Sequence, residues 1–141
     1  MANPSVLILP GDGIGPEIME PTVKILAEMA TAGEYALNFN VVPAGAAHYA
    51  ATGESLPEAS MDAARNSDAI LLSAMGLPSV RYEDGTEISP QIDLRKALTL
   101  FAGVRPVRIF PGQKTPLNMP EGKEVDFVLI RESTEGLFYS Q

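Results

Sequence analysis

Apolar residues recur along the chain in two rhythms, and their alternation outlines the fold. Val6–Leu9 is a short unbroken apolar run, the pattern of a strand buried on both faces of a parallel sheet. It ends in Pro10-Gly-Asp-Gly-Ile-Gly15, after which Pro16 and Glu17 suit the first turn of a helix. Ile18, Met19, Thr22, Val23, Leu26, Met29 and Ala30 then follow at helical spacing. They predict a helix to about Ala32, kinked or irregular near Pro21 and closed around Gly33. Leu37–Val42 reads as a second strand, and Ala44–Gly53 as a Gly/Ala-rich stretch. Pro57–Asn66 predicts a helix, and Ala69–Ser73 a third buried strand. This β-α-β-α-β order implies an α/β fold with a largely parallel sheet flanked by helices.

The second half is more broken. Met75–Glu87 is turn-rich and too long for a plain connector, which marks it as a functional loop. Ser89 and Pro90 predict an N-cap and first helical position. The helix they open should turn Ile92, Leu94, Ala97, Leu98 and Phe101 inward. Val104–Ile109 reads as a strand, Phe110–Pro120 as a non-repetitive arm, and Val125–Ile130 as another buried strand. Residues 1–100 are expected to form the first α/β part, and 101–141 to begin a second domain that is incomplete.

Composition narrows the function. The chain has 141 residues, 18 of them acidic and 10 basic, for a net charge of −8, which argues against a nucleic-acid partner. There is no cysteine, hence no disulfide framework, thiol nucleophile or Cys-ligated metal. The amino terminus has no basic segment and no apolar run of membrane length, so a cytoplasmic, non-membrane location is expected. Charge is uneven: residues 1–80 hold two basic and nine acidic side chains, residues 81–141 eight and nine. Five of the six arginines, Arg81, Arg95, Arg105, Arg108 and Arg131, lie in the later part, a candidate anion site against the plainer reading of solvated surface charge. His48 stands alone and reads as structural.

The glycines of Gly11–Gly15 tempt a dinucleotide reading, but G-x-G-x-G-P brings the third glycine one residue early for the Rossmann fingerprint. A tight turn between strand and helix explains them equally well. The full string Leu9-Pro-Gly-Asp-Gly-Ile-Gly-Pro-Glu17 is more distinctive. With Ala69-Ile-Leu-Leu-Ser-Ala-Met-Gly-Leu-Pro78, the run Leu94-Arg95 to Val104-Arg105-Pro-Val107, and Arg131-Glu-Ser-Thr-Glu-Gly136, it resembles the amino-terminal part of the β-decarboxylating dehydrogenases of isocitrate, 3-isopropylmalate, homoisocitrate and tartrate.

The resemblance implies a non-Rossmann α/β enzyme of isopropylmalate-dehydrogenase type. Such an enzyme uses NAD or NADP with Mg²⁺ or Mn²⁺, oxidises a 2-hydroxy acid at C2 and releases its 3-carboxylate as CO₂. The expected substrate is a small di- or tricarboxylate, with 3-isopropylmalate as the first guess, and the expected assembly is a homodimer. Arg95, Arg105 and Arg131 fall at the family's carboxylate-clamping positions, a task suited to guanidinium forks. Ser89 and Gln91 occupy the segment that distinguishes substrates, where they suggest a polar third substituent while Ile92 could form an apolar wall. Gly13, Ile14, Ser73, Met75 and Gly76 fall along the cofactor cleft. Arg81 and Arg108 keep the surface reading.

Two departures from the family pattern stand out. Its catalytic tyrosine position holds Phe138, which has no transferable proton, and Tyr139 beside it could substitute only with a shift of backbone. The family's catalytic lysine, metal-binding aspartates and most of its adenine site lie beyond the equivalent of residue 141. The expectation is therefore a fragment without turnover of its own, or alternatively a non-catalytic binding or regulatory subunit of the same family.

Overall fold

A computed structural model describes residues 3–110, 112–118, 124–132 and 134–135. The chain divides into two compact units, Met1–Leu94 and Arg95–Gln141.

The first unit is built on a parallel three-stranded sheet of order β2-β1-β3, from β1 (Ser5–Leu9), β2 (Asn38–Val41) and β3 (Ala69–Leu72). β1 is central, so Leu7, Ile8 and Leu9 are almost fully buried, which is why its apolar run is unbroken. In β3 Ile70 and Leu71 are half-buried and Leu72 is exposed. The expectation of a buried third strand is thus met only in part, because β3 is an edge strand in the described sheet.

Helix α1 (Gly15–Ala32) sends Met19 and Ala30 into the core. It continues without interruption through Pro21, although proline there supplies no N–H for the carbonyl one turn earlier. Gly33 closes it with an N–H bond to the Met29 carbonyl at 2.9 Å. The Gly/Ala-rich stretch contains a short helix, α2 (Ala46–Thr52), which its composition did not predict. Helix α3 (Glu58–Arg65) buries Ser60, Met61 and Ala64. The Ser60 hydroxyl donates to the Pro43 carbonyl at 2.8 Å.

Helix α4 (Pro90–Ala97) buries Pro90 and Leu94, but Ile92, Ala97 and Phe101 are exposed. The helix ends four residues before Phe101, so the expected inward face is shorter than the apolar spacing suggested. Nor does Ser89 cap α4 through its side chain among the described residues. Its carbonyl accepts from the Ile92 N–H at 2.9 Å.

The second unit contains the antiparallel pair β4 (Ala102–Arg108) and β5 (Asp126–Glu132). The expected burial of β5 is not found: Phe127, Val128, Leu129 and Ile130 are each more than half exposed. Two strands alone cover neither of their own faces.

Candidate functional site

The loop after β1 is organised by Asp12, one of the two buried polar residues among those described. Its Oδ2 accepts the N–H groups of Ala46 and Gly76, each at 2.7 Å, and its Oδ1 accepts that of Ala47 at 2.8 Å. Its own N–H donates to the Ala74 carbonyl at 2.7 Å. One carboxylate therefore ties the loop after β1 to the start of α2 and to the loop after β3. Helix α2 has Gly45 before it and no capping side chain of its own. Asp12 satisfies its first N–H groups from 34 residues away, at the end where a negative charge is favoured.

This arrangement separates the roles of the glycines. A Cβ on Gly11 would stand 2.0 Å from the Ala74 carbonyl oxygen, and one on Gly15 2.3 Å from that of Pro10. Both are required for close backbone approach. At Gly13 a Cβ would meet only Leu77, at 3.8 Å. Gly13 and Ile14 are exposed at the C-terminal side of the sheet, where open α/β folds receive ligands.

The loop after β3 lines a cleft of about 240 Å³ with Met75, Gly76, Leu77, Pro78, Arg81, Glu87, Ile88, Ser89 and Gln91. Four of the residues expected at the site, Met75, Gly76, Ser89 and Gln91, are thus brought together. Ser73 is not: it lines a separate depression with Ile18, Met19 and Thr22. The cleft is smaller than the roughly 300–1,000 Å³ of drug-sized ligand pockets, so it suits one ring or one branched substituent and not a whole dinucleotide. The Gly76 N–H is committed to Asp12 and so is not open to a ligand.

Residues 81–87 fold back on themselves. Arg81 bridges to Glu87, and the Tyr82 N–H donates to the Thr86 carbonyl at 3.0 Å. Asp84 accepts from the hydroxyl and N–H of Thr86, and these two bonds, the hydroxyl's first, hold its carboxyl below the usual aspartate range. Tyr82 anchors this turn. Its hydroxyl lies 2.6 Å from that of Ser55, and its ring meets Tyr49 edge-on with centroids 5.0 Å apart.

In the second unit the register of β4 and β5 sets the arginines. Gly103 lies opposite Arg131, and Arg105 opposite Leu129. The two-residue pleat therefore puts Arg105 and Arg131 on one face as diagonal neighbours. Gly103 carries no side chain beside Arg131, where a Cβ would come within 3.7 Å of the Arg131 Cβ. Arg108 belongs to the opposite face, where its Nε lies 3.6 Å from Asp126 and its guanidinium 5.5 Å from the Phe110 ring centroid. Arg95, in the last turn of α4, is exposed. Phe138 and Tyr139 lie outside the described residues.

Among the described residues no three His, Cys, Asp or Glu side chains are grouped so as to hold a metal ion. Those residues do not fit the divalent cation that the resemblance implies. Nor, among them, is any helix long and apolar enough to cross a membrane. Nothing beside Asp12 in the chain marks its role. The signal for Asp12 was the uncapped Gly45-Ala46-Ala47 stretch, whose N–H groups need a distant acceptor.

The sequence pattern described as isocitrate/isopropylmalate dehydrogenase matches residues 5–141. The chain is 40% identical over 141 residues to the 3-isopropylmalate dehydrogenase of Streptococcus thermophilus, covering 96% of this chain and 40% of that protein. Its identity to the Bacillus subtilis enzyme of the same name is 37%, covering 96% and 38%. Among solved structures it matches the isocitrate dehydrogenase of Methylococcus capsulatus with a TM-score of 0.76 and 31% identity, over 97% of this chain and 37% of that one. A β-decarboxylating dehydrogenase of Thermococcus kodakarensis matches with a TM-score of 0.62 and 28% identity, over 89% and 40%. The chain spans about 40% of the length of the curated relatives it matches.

Proposed function

Because the chain belongs to the isocitrate/isopropylmalate dehydrogenase family, we propose that it is the carboxylate-binding portion of an enzyme that oxidises and decarboxylates a 2-hydroxy acid bearing a 3-carboxylate. The observation that carries this reading is the shared face of Arg105 and Arg131 on the β4–β5 pair. Two guanidinium groups on one face match the two carboxylates of such an acid, and each charge-assisted bond contributes about 1.5–3 kcal/mol. Arg95 is the third member of the clamp by its place in the family motif.

In this reading the arginines bind and orient the substrate, fixing the C2 hydroxyl for oxidation and the 3-carboxylate for loss as CO₂. Gly13, Ile14, Met75 and Gly76 flank the nicotinamide end of NAD or NADP, which when bound accepts a hydride. Phe138 offers no proton at its position, so Tyr139 or water takes that task. No group of three candidate ligands stands among the described residues, and the metal's ligands and the catalytic lysine belong in this reading to the part of the family fold outside these 141 residues. A homodimer and a cytoplasmic location complete it.

Calorimetric titration with 3-isopropylmalate, isocitrate and malate tests the binding half. Binding that is weakened by Arg131→Lys and Arg105→Ala is expected, and binding indifferent to both would overturn the assignment. The 141-residue chain alone, given 3-isopropylmalate, isocitrate, tartrate or malate with Mn²⁺ and NAD or NADP, is expected to form no reduced cofactor. Turnover by it would show that the remaining catalytic groups lie within the chain after all.

A further inference from the structure

Aspartate is followed by glycine at two places in the chain, Asp12-Gly13 and Asp84-Gly85. Such a pair carries its own chemistry. The glycine nitrogen can attack the aspartyl side-chain carbon, because no Cβ on the glycine shields it. The N–Cγ bond forms, a Cγ–O bond breaks, and water leaves with that oxygen and the amide hydrogen. A five-membered succinimide results. Water adding at its Cγ carbonyl restores aspartate. Water adding at the other carbonyl leaves the chain running through Cγ, an isoaspartyl linkage with one more backbone carbon.

The fold puts the two pairs in opposite environments. Asp12 is buried, and its carboxylate accepts the N–H groups of Ala46, Ala47 and Gly76. Turning it onto Gly13 would leave all three donors unpaired. Asp84 and Gly85 are exposed at the tip of a hairpin turn. There the Gly85 N–H donates to the Tyr82 carbonyl at 2.9 Å and the Tyr82 N–H to the Thr86 carbonyl at 3.0 Å. This is the bond pattern of a three-residue loop that ends on a glycine of positive φ, and Gly85 has φ +87. An added Cβ on Gly85 would meet nothing within 4 Å, so no neighbouring group crowds the bond.

One side chain restrains the exposed pair. Thr86 donates to Asp84 Oδ1 from its hydroxyl and, at 2.9 Å, from its N–H. Both bonds favour the ionised carboxylate. Attack needs the protonated carboxyl, whose oxygen leaves as water. We propose that Asp84-Gly85 is a site of spontaneous isoaspartyl formation in the folded chain, that the Thr86 hydroxyl sets its rate, and that burial of Asp12 protects Asp12-Gly13. Conversion opens the turn. The added backbone carbon breaks the Gly85–Tyr82 bond and the Tyr82–Thr86 pairing, and with them the bridge between Arg81 and Glu87 that lines the cleft. This modification is independent of the hydroxy-acid reading above and goes beyond it.

The test is storage of the 141-residue chain at neutral pH and body temperature, with peptide mapping at intervals and enzymatic methylation of isoaspartyl carboxyls as the second readout. In the folded chain isoaspartate is expected at Asp84 and none at Asp12, whereas in guanidinium chloride both sites should convert. Thr86→Val should speed conversion at Asp84 by about 2–10-fold, the factor one hydrogen bond is worth. Thr86→Ser, which keeps a hydroxyl, should stay near the parent rate. Hydrogen exchange on the converted chain should find the Tyr82 and Gly85 N–H groups newly open to solvent. Conversion at Asp12 that keeps pace with Asp84 would overturn the proposal, as would a folded chain that forms no isoaspartate while the denatured one does. So would a Thr86→Val rate equal to that of the parent or of Thr86→Ser, and a converted chain in which Tyr82 stays protected.

Discussion

The carboxylate of Asp12 accepts the N–H of Gly76 at 2.7 Å, joining residues 64 apart in sequence at the mouth of the proposed cleft. With Ala46 and Ala47 it satisfies three backbone donors at once, in a position that is 3% exposed. Each donor left unpaired by its removal would cost about 1–3 kcal/mol. Asp12→Ala is accordingly expected to lower the unfolding free energy by about 3 kcal/mol or more. Asp12→Asn should cost less, since one oxygen still accepts while the amide N–H₂ faces donors. Urea unfolding measures both, and amide exchange should accelerate at Gly76, Ala46 and Ala47 before other sites. A cost for Asp12→Ala within about 0.5 kcal/mol, the range of ordinary surface changes, would show that these bonds do not hold the loops together.

Glycines with positive φ are not equivalent here. Gly11, at φ +75, faces the Ala74 carbonyl, whereas Gly85, at φ +87, has nothing within 4 Å of an added Cβ. Gly85→Ala should therefore cost only the backbone strain, about 1–2 kcal/mol. Gly11→Ala must also displace the loop after β3, and thermal or urea melts should place it well below Gly85→Ala. Equal melting shifts for the two variants would mean that the close approach at Ala74 relaxes without penalty.

The same contrast explains what could be read from the chain beforehand. β1 and α1 were legible because their own residues carry the pattern: an unbroken run in the sheet centre and a 3.6-residue period beside it. Helix α2 was not, because its cap is Asp12, 34 residues distant, and a seven-residue Ala-rich segment has no periodicity to show. β3 and β5 read as buried strands, yet burial depends on what lies against a face, and an apolar run does not contain that information. The pairing of Arg105 with Arg131 on one face follows from strand alternation only once the register is known. The cleft combines Met75 and Gly76 with Ser89 and Gln91 through a turn, 81–87, whose tyrosine contact to Ser55 no local pattern announces.

On the proposed reading, strand alternation also predicts which arginines bind the hydroxy acid. Arg105 and Arg131 share a face, and Arg108 lies on the other beside Asp126. Arg105→Ala and Arg131→Ala should each weaken hydroxy-acid binding by about 10–100-fold, the loss of one charge-assisted interaction. Arg108→Ala should change affinity less than twofold, within the range expected for an exposed pair that makes no ligand contact. Calorimetry on the three variants decides the matter, and a loss for Arg108→Ala equal to the others would imply attraction by net charge and not a built face.

The start of β1 is joined to the start of β3 by Ser5 and Asp68, and this contact should titrate. The Ser5 N–H and the Ser5 hydroxyl each donate to Asp68 Oδ2 at 2.8 Å. Those bonds, the backbone one first, hold the Asp68 carboxyl below the usual aspartate range. A carboxyl lowered in the folded state binds protons more readily when unfolded, so its stabilisation is full above the unfolded value and lost as pH falls through the folded one. The contact should therefore be intact at neutral pH and fade below about pH 4, the ordinary aspartate value. Carbon-detected titration of Asp68 should give a midpoint below that value, and Ser5→Ala, which removes only the hydroxyl, should raise it part of the way. Because both donors are neutral, 1 M salt should leave the midpoint nearly unmoved, whereas a shift caused by nearby cations would collapse under screening. A midpoint that rises to the ordinary value in salt would assign the effect to charge and remove Ser5 from its cause.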